Sequence, residues 1–218
     1  MSPATFYLIV GIGTVIIFLI GGIVAYTLIA NSRDKNREIF AVISERVGGR
    51  IKSSGLSGPQ VVGHYQGIPY KIYILPGNQY SSPDLRIEFT GGLPFTLTLQ
   101  SEGLNSKLER LVGFGSGKNI ELGIPEFDQK FAVRTTEPEK TRAYLQKPEV
   151  RKTLEEITGQ GASFLFRGKY AEIIVPLEPP SDSQNLIDVK AAGEFIDIAK
   201  VEALLERGAF LLEALWQV

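Results

Sequence analysis

Hydrophobic and polar positions follow three rhythms along this chain, and the first is an unbroken apolar run: from Ala4 to Ala30 no charged side chain occurs. A run of about 20 apolar residues at a 1.5 Å helical rise matches a hydrocarbon core of roughly 30 Å. The pattern therefore predicts a transmembrane helix over residues 1–31 rather than a buried core helix. Tyr7 and Tyr26 bracket the run at about 28 Å along a helix, where interfacial aromatics sit. The N-terminal Met-Ser-Pro-Ala-Thr lacks Lys and Arg, and Leu28 spoils a small-x-small cleavage pattern before Ala30, so the segment is expected to be retained. Within it Thr14, Gly21 and Ala25 share one helical face and would let a second helix approach. Gly11, Gly13, Gly21 and Gly22 also fit the ordinary glycine content of membrane helices.

The second rhythm is helical. Residues 32–49 read as a juxtamembrane stalk, with Ile39, Phe40, Val42, Ile43 and Val47 in a stripe that the rest of the chain must cover, and Gly48-Gly49 as the stop. Helices are also predicted over Leu104–Val112, from Glu137-Pro138 with Thr136 as cap, and through Val150, Leu154 and Ile157 to Gly159. Residues Leu186–Trp216 form a long amphipathic helix, or two with a bend near Gly193. Its stripe of Ile198, Val201, Leu205, Gly208, Leu212 and Leu215 is too short for a coiled coil and is expected to pack across a sheet.

The third rhythm has the period of strands. Val61–Tyr65 and Ile68–Leu75 flank Gln66-Gly67 as one hairpin, and Leu85–Thr90 and Phe95–Leu99 flank Gly91-Gly92-Leu93-Pro94 as another. Ala162–Phe166 and Lys169–Val175 make a third around Arg167-Gly168. Phe127–Thr135 reads as a strand with Phe127, Phe131 and Val133 inward, and Asp128 on the other side accepting from backbone amides of a nearby turn. An antiparallel meander is the simplest arrangement. The fold class expected is thus α+β: an N-terminal transmembrane helix, then a largely antiparallel β-sheet domain over 50–218 packed by helices, ending in a long amphipathic helix.

Charge adds an orientation. Only the α-amino group precedes the apolar run, whereas Arg33, Lys35, Arg37, Arg46, Arg50 and Lys52 follow it, and Asp34, Glu38 and Glu45 count for little. A single-pass protein with its N-terminus outside and its soluble domain cytoplasmic is expected, with Arg33, Lys35 and Arg37 joining the two tyrosines as interface anchors. A net charge of −1 gives no field for nucleic acid. The lack of cysteine removes disulfides and thiolate chemistry, and no cofactor or metal is expected.

Candidate chemistry is sparse. Gly113-Phe114-Gly115-Ser116-Gly117-Lys118-Asn119 invites a phosphate-loop reading, but Val112 and Asn119 stand where the motif needs Gly and Ser or Thr, and no helix can open after it. His64 is the single imidazole and has no nucleophile-elbow sequence to accompany it. Tyr65, Tyr70, Tyr73 and Lys71 suggest a stacking surface, yet alternation splits them between two faces and favours packing.

Pro125-Glu126-Phe127-Asp128-Gln129-Lys130-Phe131-Ala132-Val133-Arg134, followed by Glu137-Pro138, resembles a pattern in uncharacterised bacterial proteins with one N-terminal membrane helix. The resemblance implies a bacterial inner-membrane protein and supplies no catalytic residues. The function expected is a membrane-anchored, non-enzymatic interaction or assembly module, an accessory subunit whose partners are the lipid bilayer and a membrane protein or a second copy. A tethered domain that binds a small molecule or lipid headgroup is the alternative.

Overall fold

The first hairpin forms where the alternation puts it. In the computed structural model, which describes residues 14, 17–22, 37–53, 58–77, 82–92, 94–101, 117–167, 170–177 and 196–218, β2 (Pro59–Tyr65) pairs antiparallel with β3 (Ile68–Leu75). Gln66 at φ 52° and Gly67 at φ 84° supply the two left-handed positions of a type I′ turn, whose twist suits the flanking strands. β1 (Arg50–Ser53) adds to one side of this hairpin and β4 (Asp84–Thr90) to the other.

The sheet then departs from a meander. With β5 (Leu97–Ser101), β6 (Lys118–Ile120), β7 (Phe131–Thr135), β8 (Ser163–Arg167) and β9 (Tyr170–Pro176), nine antiparallel strands among the described residues lie in the order β1-β2-β3-β4-β9-β8-β5-β7-β6. The expected hairpin of β4 with β5 does not form, because the β8-β9 hairpin lies between them. Leu85, Ile87 and Phe89 of β4 face Val175, Ile173 and Ala171 of β9 in register, so β4 finds its apolar partners some 85 residues away rather than across Gly91-Gly92. Local pattern shows which face of a strand is apolar, and several strands offer the same face.

One face of the sheet carries the helices. α1 (residues 37–47) lays Phe40, Ile43 and Val47 on it, and the Tyr70 hydroxyl donates to the Val47 carbonyl at 3.2 Å. α2 (Pro125–Asp128), α3 (Pro138–Leu145) and α4 (Pro148–Gly159) each begin with Pro, whose missing N–H costs nothing in a first turn. α5 (Ile198–Trp216) is capped by Asp197, which accepts from the amides of Ala199 and Lys200. It buries Val201, Leu205, Gly208, Leu212 and Leu215 as the stripe predicts. The buried Tyr144 ring of α3 meets Phe166 edge-on, and its hydroxyl donates to the Leu211 carbonyl at 3.0 Å, tying α3 to α5.

Two local expectations change. The strand read from Phe127 begins only at Phe131, since Pro125–Asp128 is a helical turn, although Phe127, Phe131 and Val133 are all buried as expected. Thr136 does not cap α3. Glu137 occupies the cap position, and the Thr136 hydroxyl accepts from the Thr96 amide instead.

The architecture is α+β with a large antiparallel sheet and a C-terminal helix, but the transmembrane helix expected within residues 1–31 is not found: among the described residues no helix is long and apolar enough to cross a membrane. Consecutive helical residues in the apolar run are described only over 17–22, about 9 Å of rise against the roughly 30 Å required. α5 has 19 residues, but it carries Lys200, Glu202, Glu206, Arg207 and Glu213. The single-pass topology and the cytoplasmic placement at a bacterial inner membrane rested on the spanning helix and fall with it. A hydropathy run counts apolar residues and is blind to helix continuity. Thr14 and Gly21 are helical and exposed, and Arg37 opens α1 exposed to solvent. Ala25, Tyr7, Tyr26, Arg33, Lys35, Gly193 and the helix expected over Leu104–Val112 lie outside the described residues.

Candidate functional site on the polar face of the sheet

Residues directly opposite each other on antiparallel strands point to the same face. On the face away from the helices, register aligns Lys71, Glu88 and Glu172 in one row across β3, β4 and β9, and Tyr73, Arg86 and Ile174 in the next. Glu88 and Glu172 are therefore cross-strand neighbours of like charge, an arrangement that needs compensation. Lys71 Nζ lies 2.8 Å from Glu88 Oε2 and 4.7 Å from the centre of the Tyr73 ring. Arg86 Nη1 donates to Glu172 Oε1 at 3.1 Å, and Arg86 Nη2 lies 3.8 Å from Asp84 Oδ2. The Tyr73 hydroxyl is 3.0 Å from Glu172 Oε1 and 3.4 Å from Glu88 Oε2, and its single proton goes to the nearer.

Glu172 is 4% exposed and the Arg86 side chain 11%. Removing two such charges from water is expensive, and the pair holds because each charge is the other's partner. Arg86 Nε and Nη2 are buried without a hydrogen-bond partner among the described residues, so the link to Glu172 is the arginine's principal one. Burial raises the Tyr73 hydroxyl well above its ordinary value, the Glu172 charge and hydrogen bond and the Glu88 charge raise it further, and Arg86 opposes them. The group is a fixed donor rather than a base.

That shift sets an alkaline limit. Burial also raises Tyr144 well above its ordinary value. Below about pH 10, folded and unfolded chains both keep these protons; above it only the unfolded chain releases them, so stability falls as pH rises. Denaturation midpoints measured on either side of pH 10 should drop on the alkaline side, and Tyr73→Phe should flatten the slope. A flat profile for the unaltered chain would contradict the assignment.

The residues singled out by sequence are not brought together here. His64 is exposed on β2 and pairs across from Pro69. Asp128 accepts from the amides of Leu122 at 2.9 Å and Ile124 at 3.0 Å, the turn-closing role expected of it. Tyr70 faces the helices while Tyr73 and Lys71 face away, so no continuous stacking surface forms. In the glycine-rich stretch, Lys118–Ile120 is strand rather than a helix opening. Gly117 and Lys118 border a cleft of about 410 Å³ with Thr135, Thr136 and Pro138. Its threonine hydroxyls are engaged: Thr135 accepts from the Glu137 amide and the Thr141 hydroxyl, and Thr136 from the Thr96 amide.

Arg86, Glu88 and Glu172 were not legible as a set. The available signal was a carboxylate inside Ala171-Glu172-Ile173-Ile174-Val175, since a charge within a fully apolar strand requires a partner.

A second feature is apolar. Ile17, Phe18, Leu19 and Ile20 are helical and 72%, 77%, 61% and 56% exposed, and a Cβ added at Gly21 or Gly22 would meet no atom within 4 Å.

No protein-family model matches the sequence, and no curated protein matches it. Among solved structures, the chain is similar to the crystal structure of the mycobacterial trehalose monomycolate transport factor A, TtfA, at 11% identity and a TM-score of 0.47 over 79% of this chain and 95% of that one. A likeness of that size carries no assignment of fold or function.

Proposed function

We propose that this chain is a non-enzymatic interaction module that works at a lipid bilayer, with residues 17–20 seated in apolar surroundings. The observation that carries the reading is the exposure of four consecutive apolar helical residues. At 100° per residue they point around the whole helix, so a groove on one side cannot cover them, and helices apolar all round are found immersed. Immersion of this segment requires no helix across the bilayer. The sheet's buried charges support an interaction role over catalysis, since Arg86, Glu172 and Tyr73 are spent on one another. An accessory or assembly role in a membrane protein complex suits a module of this kind.

Flotation of the full chain with neutral phosphatidylcholine vesicles tests the reading. The chain should float with the vesicles, and Phe18→Ser should weaken binding roughly tenfold to a hundredfold, since burying a phenylalanine contributes about 1.5–3 kcal/mol. A chain that stays with the lipid-free fraction overturns the proposal. Self-association that persists unchanged when vesicles are added would assign the segment to a protein contact instead.

A further inference from the structure

On the sheet face away from the helices, β1 presents Arg50 and Lys52, β2 presents His64, and β3 presents Lys71. None of the three strands contains Asp or Glu. Carboxylates begin only at β4, where Glu88 takes the charge of Lys71. Arg50 and Lys52 are exposed, and neither forms an ion pair with a described residue. Val62 lies between Arg50 and Lys71 in register, which sets those two cations about 10 Å apart across two strand spacings. The exposed Leu75 adds an apolar side chain to the same face.

We infer that the β1–β3 half of this face docks on the anionic headgroups of a lipid bilayer, an inference that rests on the bilayer placement proposed above. Charge complementarity selects an anionic partner, because two unopposed cations sit at the sheet edge and the negative charges lie inward on β4 and β9. β1, β2 and β3 lie side by side in the sheet and present these cations on one face, which suits a plane of headgroups. A long polyanion running across the sheet would meet Glu88 and Asp84 as soon as it left β3.

The test compares the full chain on phosphatidylcholine vesicles and on vesicles of the same lipid mixed with phosphatidylglycerol. Each basic residue near an anionic surface adds about fivefold in affinity, so the mixed vesicles should bind roughly 25-fold more tightly at low salt, and the gain should shrink as salt shortens the Debye length. The double substitution Arg50→Glu with Lys52→Glu should abolish the gain while leaving binding to neutral vesicles and the thermal midpoint unchanged. Equal binding to the two vesicle types, or a gain that survives in the double variant, overturns the inference. A gain reproduced by an acidic peptide in solution with the same dependence on Arg50 and Lys52 reassigns the face to a protein and equally overturns it. Loss of binding to neutral vesicles alone counts against the bilayer placement and leaves the charge comparison readable.

Discussion

Glu172→Ala is expected to destabilise the fold by about 3–5 kcal/mol, among the largest effects of a single substitution in this chain. The residue is 4% exposed and accepts from Arg86 Nη1 at 3.1 Å and from the Tyr73 hydroxyl at 3.0 Å. Its loss strands the Arg86 guanidinium, whose Nε and Nη2 already lack hydrogen-bond partners among the described residues. Glu172→Gln should cost less, since it keeps the shape and an acceptor while losing the charge. The sharper measurement is the double substitution Glu172→Leu with Arg86→Met: removing both charges restores much of the stability, because a well-packed apolar pair serves about as well as a buried ion pair. Urea denaturation of the unaltered chain, Glu172→Leu, Arg86→Met and the double variant gives the coupling. If Glu172→Ala leaves the midpoint where it was, Asp84, now 3.8 Å from Arg86 Nη2, has taken over and the pair is not the keystone of this face.

How much of this was readable beforehand divides along the range of the interactions. The β2-β3 and β8-β9 hairpins, α4 with Val150, Leu154 and Ile157, and the buried stripe of α5 are local patterns, and they appear where periodicity and turn residues put them. The placement of β9 beside β4 is not local, because it depends on which of several equivalent apolar strand faces meet. The Arg86-Glu172 pair follows from that placement and was hidden with it. Asp128 accepts from backbone amides as its place opposite Phe127 and Phe131 predicts, yet the same contacts wind Pro125–Asp128 into a turn where alternation predicts strand. The apolar run is the loudest signal in the sequence, but hydropathy reports composition and not helix continuity, and consecutive helical residues in the run are described only over 17–22. What survives from it is the exposure of Ile17, Phe18, Leu19 and Ile20, which calls for a partner but does not specify a topology.

Gly208→Val should likewise destabilise strongly, by about 3 kcal/mol. Glycine inside a helix ordinarily costs about 1 kcal/mol against alanine, so a neutral site would gain from substitution. At Gly208 the sign reverses: an added Cβ would lie 2.4 Å from Phe89 Cε2, 2.5 Å from Phe89 Cζ and 3.0 Å from Ile173 Cδ1. Phe89 and Ile173 are both fully buried at the β4-β9 junction, so neither ring nor methyl can withdraw without moving the sheet. The missing side chain is what lets α5 lie directly on these two strands. Gly208→Ala should cost less, with the helical gain offsetting part of the clash, and Phe89→Leu in the same chain should recover part of the loss by vacating the space. Gly159→Ala supplies the comparison: no atom lies within 4 Å of a Cβ there, so that change at the end of α4 should be neutral or slightly stabilising. A thermal midpoint for Gly208→Ala at or above that of the unaltered chain would show that α5 can lift off the sheet freely, and the close crossing would then not be what fixes the helix in place.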